Sequence, residues 1–120
     1  MELKRVVVTG LGALTPLGNN VEETWEALKS GKSGAGPITH FDASAFKTQF
    51  ACEVKGLDMS SLLDAKELRR YDRYIHYALK SAEEALLDAK VSIDQEDALR
   101  CGAIFGSGMG GIYTLDCNAG

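Results

Sequence analysis

The chain has little cysteine, and none of it is arranged to do chemistry. Cys52, Cys101 and Cys117 are the only three. They are odd in number, widely spaced and never in a Cys-x-x-Cys pair, which argues against a disulfide framework or a zinc knuckle and suits a reducing, cytoplasmic compartment. Histidine is scarcer still. His40 and His76 are the only two; neither has ligand-type spacing, so both read as structural or surface residues and no metal site is expected. A basic excess is also missing: the formal net charge of -4 gives no general attraction to nucleic acid or to an anionic membrane. Long apolar runs are absent too. The first begins almost at the N-terminus, but glycine and proline interrupt it before it could form a signal-peptide core or span a bilayer. There is no internal repeat and no low-complexity tract.

What is present is ordinary for one soluble domain: 120 residues, 45% apolar and 25% charged, enough for one core and too short for two. The opening stretch Arg5-Val-Val-Val-Thr-Gly-Leu-Gly-Ala-Leu-Thr-Pro-Leu-Gly18 is the most informative. Three consecutive valines predict a strand buried on both faces, as in parallel sheets. Gly10 and Gly12 would let it turn sharply and pack closely. The stretch is not the dinucleotide fingerprint, because Thr15 stands where that pattern needs a glycine.

Helix signals follow. Asn20 can cap a helix, and Glu23, three positions on, can reach back to it. Val21, Trp25 and Leu28 then share a face, and Gly31 ends the helix. Phe41 and Phe46 are expected to anchor a loop by burying their rings. Phe50-Ala-Cys-Glu-Val54 predicts a short strand, with Cys52 a small core residue. Asp64 and Glu67 mark a second capped start. From Tyr71 to Lys90 the helical period is strongest, with Tyr74, Ile75, Ala78, Leu79, Ala82, Ala85, Leu86 and Ala89 on one stripe. Its alanines allow a close neighbour, and Lys80 is expected to pair with Glu84. Cys101-Gly-Ala-Ile-Phe105 predicts a second buried strand, leading into Gly106-Ser-Gly-Met-Gly-Gly111. The residues after that turn are too few for a full helix, so the sequence is expected to stop mid-element. Tyr113, Asp116 and Cys117 form no readable constellation, and Cys117 has neither the helix start nor the base a nucleophile needs.

Two features could carry function. The glycines at 106, 108 and 111 match the dinucleotide spacing after a strand, and a pyrophosphate could sit on the backbone N–H groups of a following helix. Against this, about 100 residues precede a motif that normally opens its unit, and the acidic partner expected about 20 positions later falls past residue 120. Met109 within the turn would otherwise simply fill core space. The second feature is Lys66, Arg69 and Arg70, which share one face of a helix. Most such clusters are solvated surface; an exposed one can also steer an acidic partner.

Order and spacing join these pieces. The Val-Val-Val-Thr-Gly-Leu-Gly opening, Pro16-Leu-Gly-Asn19, Trp25, Ser33-Gly34, His40-Phe41-Asp42, Arg69-Arg70, Asp72 and Gly106-Ser-Gly-Met-Gly-Gly111 together resemble the β-ketoacyl-[acyl-carrier-protein] synthases, in particular the synthase II branch, over nearly the whole chain. The residues after Tyr113 resemble it less. The resemblance implies an α/β protein of the thiolase-like layered fold, with residues 1–120 forming only the first part of the N-terminal half. It implies decarboxylating Claisen condensation of an acyl thioester with malonyl carrier protein, in fatty acid elongation, by a homodimer that needs no cofactor. Family members usually carry a branched aliphatic residue at the position of Met109, which gates the acyl pocket; methionine is flexible enough to serve. Lys66, Arg69 and Arg70 would contact the acyl carrier protein. The nucleophilic cysteine, two histidines and a lysine are expected beyond residue 120, so this segment alone should not condense. Two other readings stay open: a non-condensing chain-length subunit of a polyketide system, which shares the fold, and a nucleotide-dependent oxidoreductase using the 106–111 glycines.

Overall fold

The structure, a computed structural model, describes residues 3–119. The chain divides into two compact units, Ala13–Asp58, and Met1–Gly12 together with Met59–Gly120.

In the first unit, Thr15 and Gly18 exchange backbone hydrogen bonds of 2.9 and 3.2 Å, closing a turn around Pro16 and Leu17. The turn feeds helix α1, Val21–Lys29. The Asn20 side chain accepts from the Glu23 N–H at 2.7 Å. The Glu23 carboxylate reaches one residue further back than expected, accepting from the Asn19 N–H at 2.8 Å. The helix ends as the sequence predicts: Gly31 takes φ 65°, and the Gly31 and Lys32 N–H groups return to the Leu28 and Ala27 carbonyls, which satisfies groups a helix end otherwise leaves open. Strands β1, Ala35–Pro37, and β2, Phe50–Cys52, pair antiparallel with Gly36 opposite Ala51.

In the second unit, α2 spans Ala65–Arg70 with a full capping box between Asp64 and Glu67. The chain bends at Tyr71 and Asp72, and α3 runs Arg73–Ala89. Two 3₁₀ turns, Ile93–Gln95 and Ala98–Arg100, lead to the glycine-rich turn and to α4, Ile112–Asn118. Helix α3 ends at Lys90 in the left-handed region, φ 54°.

Several expectations fail, for related reasons. Residues 5–8 and 101–105 form no strand; Val6 is 88% exposed and Ile104 99%. A strand exists only when its N–H and C=O groups find a partner chain, and neither run has one among the described residues. Gly10 and Gly12 do not turn the chain, since positive φ among the described glycines occurs only at Gly31, Gly56 and Gly110. Their role is close approach. A Cβ on Gly10 would fall 2.6 Å from the Ala89 nitrogen and nearer still to the Ala85 carbonyl oxygen, and one on Gly12 would overlap the Ser81 carbonyl. The alanine side of α3 is therefore used as predicted, whereas Tyr74, Leu79 and Leu86 on the same stripe stay exposed. Phe41 and Phe46 stack edge to face, centroids 5.7 Å apart, yet both remain more than half exposed. Cys52 is exposed rather than core. Lys80 pairs with Glu83, three residues on, at 2.7 Å.

Among the described residues the buried apolar side chains are few: Ala27, Ala43, Met59 and Leu63. The accessible surface is 10106 Å². A folded protein of 12.9 kDa exposes roughly 6,300 Å², and two separately folded halves of that mass together roughly 7,600 Å². Much apolar surface is thus left in water whichever reference is used.

Candidate functional site

The bend between α2 and α3 gathers the residues the sequence singled out. The capping box sets where α2 begins, and its period then puts Lys66, Arg69 and Arg70 on the outside, all exposed. None of the three salt bridges among the described residues involves them. Arg69 and Arg70 sit in the last turn, where the helix dipole favours positive charge. The outcome is a small, unneutralised cationic face in a chain of net charge -4.

The glycine-rich turn lies against the start of α3. Gly110, φ 53°, places its α-carbon beside the Tyr74 ring, 3.7 Å from where a Cβ would stand. The Gly110 N–H donates to Ser107 Oγ at 3.0 Å. Thr114 Oγ1 donates to Asp72 Oδ1 at 2.8 Å. Met109 projects into solvent at 74% exposure. The strand that should precede the turn is missing, so the strand–turn–helix unit a dinucleotide site requires is not assembled among the described residues.

Elsewhere, Glu53 is buried and accepts from both the N–H and the Oγ1 of Thr39, at 3.0 and 2.7 Å. Those two bonds, the side-chain one first, hold its carboxyl below the ordinary value of 4.5 against the opposing effect of burial, and His40, at 3.7 Å, assists. His40 is therefore a carboxylate partner, which a lone loop histidine does not announce in sequence. His76 is half-buried, with Nε2 enclosed and unpaired. The Tyr113 hydroxyl is raised above its ordinary value by its hydrogen bond to Cys117, one turn along α4, and by the negative charge available to that thiol and to Asp116. An open depression of about 680 Å³ on α1 is lined by Leu17, Asn20, Glu22, Glu23, Glu26 and Lys32 among others; the candidate site residues Lys66, Arg69, Arg70 and Met109 do not line it. Among the described residues no group of His, Cys, Asp and Glu could hold a metal ion. No helix there is long and apolar enough to cross a membrane.

Sequence reasoning found the cationic face and the turn but missed the Asp72–Thr114 bond, which spans 42 residues. Asp72 before a helix reads as an ordinary cap, and no local signal redirects it.

Similarity to known proteins places the chain in a family. The family described as Beta-ketoacyl synthase, N-terminal domain matches residues 3–119. The 3-oxoacyl-[acyl-carrier-protein] synthase 2 of Coxiella burnetii is 47% identical over 118 residues, 98% of this chain and 28% of that protein. Its counterpart in Synechocystis is 46% identical over 116 residues, 97% of this chain and again 28% of the relative. Among solved structures, the ishigamide ketosynthase/chain length factor superposes with a TM-score of 0.65 at 36% identity, over 73% of this chain and 22% of that one. The chain thus spans 28% of the length of these curated relatives, with a partial α/β arrangement, and it belongs to the β-ketoacyl synthase N-terminal domain family.

Proposed function

We propose that residues 1–120 are the leading part of a β-ketoacyl synthase N-terminal domain, and that the whole protein is a 3-oxoacyl-[acyl-carrier-protein] synthase of fatty acid elongation with the thiolase-like layered fold. It is a cytosolic homodimer, and neither nucleic acid nor membrane is its partner. The reaction joins an enzyme-held acyl thioester to malonyl carrier protein: carbon dioxide leaves, the resulting carbanion attacks the thioester carbon, and the enzyme thiol departs, giving a carrier-bound β-ketoacyl chain. The thiol, the histidines and the lysine for these steps belong to the remainder of the protein. This segment contributes the carrier-docking face, Lys66, Arg69 and Arg70, and Met109 of the acyl-pocket gate.

The observation that carries the reading is the exposed, unpaired cationic trio on α2 in a chain that resembles carrier-dependent synthases over nearly all its length. Exposed charges of this kind raise the rate of encounter with an acidic partner more than they tighten the complex. Reversing Arg69 and Arg70 to glutamate in the full-length protein should raise KM for acyl-carrier substrate about tenfold or more at low salt, and the penalty should shrink as salt screens it. An unchanged KM would remove the docking role. The likeness to a ketosynthase/chain length factor supports a second reading, a pocket-shaping partner that does not condense. The residue at the nucleophile position separates the two: cysteine for the synthase, glutamine for the partner.

A further inference from the structure

We infer that Asp72 and Thr114 anchor the glycine-rich turn 106–111 to the head of α3, and that Asp72 is thereby a positioning residue for Met109. The inference deepens the acyl-gate reading above and rests on it.

Asp72 occupies the N-cap position of α3 with extended backbone angles, φ -66° and ψ 155°, yet its side chain makes no capping bond. An aspartate there ordinarily accepts from the second or third amide of its own helix. Here Oδ1 accepts instead from the Thr114 hydroxyl at 2.8 Å, a charge-assisted bond of the stronger class. Its other oxygen, Oδ2, lies 2.5 Å from the point a Cβ on Gly111 would occupy. Only a residue without a side chain lets the carboxylate lie that close to the turn. The next contact is the Tyr74 ring against Gly110, which is held in the left-handed region.

The contacts are unevenly distributed. Gly110, Gly111 and Thr114 all meet residues 72–74. Gly106 and Gly108 would find nothing within 4 Å of an added Cβ. The turn is fixed at its C-terminal end and open at its front, and Met109 is the last residue before the fixed part. Releasing the anchor therefore changes where Met109 is carried without touching Met109 itself. The carboxylate would then be free to cap α3, so the released state has an alternative set of bonds and does not require unfolding.

The test uses the full-length synthase with Thr114→Val, Thr114→Ser and, as a second route, Asp72→Asn, which keeps an acceptor but loses the charge. Two readouts are taken: amide hydrogen exchange across residues 106–111, and kcat/KM for a series of acyl chain lengths. Thr114→Val should speed exchange in the turn about tenfold, the scale of one lost bond to a charged group. It should also shift the ratio of kcat/KM between long and short acyl donors several-fold, with Thr114→Ser restoring both and Asp72→Asn intermediate. Unchanged exchange in Thr114→Val overturns the anchor. Faster exchange with an unmoved chain-length ratio overturns the positioning role, because a purely structural bond would behave that way. A wild-type protein that forms no ketoacyl product refutes the synthase reading and the gating role together, and the exchange measurement still decides the anchor by itself.

Discussion

Substituting Gly10 by alanine tests the central packing contact of this segment. The added Cβ would stand 2.6 Å from the Ala89 nitrogen and 2.7 Å from the Ala89 Cβ, with the Ala85 carbonyl oxygen nearer still. Ordinary carbon contacts are about 3.5–4.0 Å, so the N-terminal segment would have to withdraw from α3 by about 1 Å. The neighbouring Leu11 N–H donates to Asp88 Oδ2 at 2.9 Å, and a withdrawal of that size breaks this bond as well. Overpacking of this kind costs about 1–3 kcal/mol. Alanine recovers roughly 0.4–1 kcal/mol by restricting the unfolded chain. The loss dominates, leaving a net destabilisation of the contact of about 1–2 kcal/mol. Amide exchange reads it directly: protection of the Leu11 N–H should fall about tenfold. Gly12→Ala should be worse, because its obstacle is the Ser81 carbonyl. The two nearest obstacles are backbone atoms, so removing the Ala89 Cβ by Ala89→Gly should not rescue Gly10→Ala. Gly102→Ala is the control, since nothing lies within 4 Å of its Cβ. Full protection of Leu11 in Gly10→Ala, or rescue by Ala89→Gly, would refute the reasoning.

Other outcomes follow from single features. Lys90 holds a left-handed cap that glycine adopts without penalty, so Lys90→Gly should stabilise α3 by about 0.5–1 kcal/mol in urea titration. Glu53 has its carboxyl lowered on folding, chiefly by the Thr39 hydroxyl and then by the Thr39 N–H. Its contribution is therefore complete above the ordinary value of 4.5 and is lost as pH falls through the lower folded value. The urea midpoint of the Ala13–Asp58 unit should drop on acidification below that value, and Glu53→Gln should flatten the drop; an equally steep profile in the variant would count against it. The unpaired runs at 5–8 and 101–105 expose apolar side chains and open backbone groups, so the isolated 120-residue chain should self-associate and melt without a sharp transition. Val7→Lys with Ile104→Lys should lower that association in sedimentation experiments.

What could be read from sequence divides along the range of the interaction. Asn20, Asp64 and Glu67 act within three residues of their partners, so the starts of α1 and α2 were legible. The period of 73–89 exposed the helix and the alanines of its close face. The helical period from Tyr71 to Lys90 also marked the end of α3, although Lys90 itself lacks the glycine signal usual at such a cap. Val6–Val8 and residues 101–105 carry every local mark of a strand, but a strand is completed by another segment, and propensity cannot supply one. Phe50–Cys52 succeeded where they failed because Ala35–Pro37 lies within reach to pair with it. The site follows the same division. Exposure of Lys66, Arg69 and Arg70 needs only the phase of α2, whereas the Asp72–Thr114 bond joins residues 42 apart and has no local signature.

The contacts that order the second unit share one device. Where most folded chains bury large side chains, this unit brings backbone to backbone: Gly10 and Gly12 lie on the carbonyls of Ala85 and Ser81. Among its described residues only Met59 and Leu63 are buried apolar side chains. Extended chain advances about 6.6–6.8 Å over two residues, close to the 5.4 Å of one helical turn. Glycines two apart can therefore sit on helix residues four apart in successive turns, and the Gly10–Gly12 pair needs no side chain to find its register. Tolerance to substitution should follow from this. Exposed apolar residues such as Leu87 and Leu99 should accept polar replacement with changes within about 0.5 kcal/mol, while a single methyl group at Gly10 or Gly12 should be felt at once. Were the opposite ranking measured, side-chain burial rather than backbone approach would be the source of order in this unit.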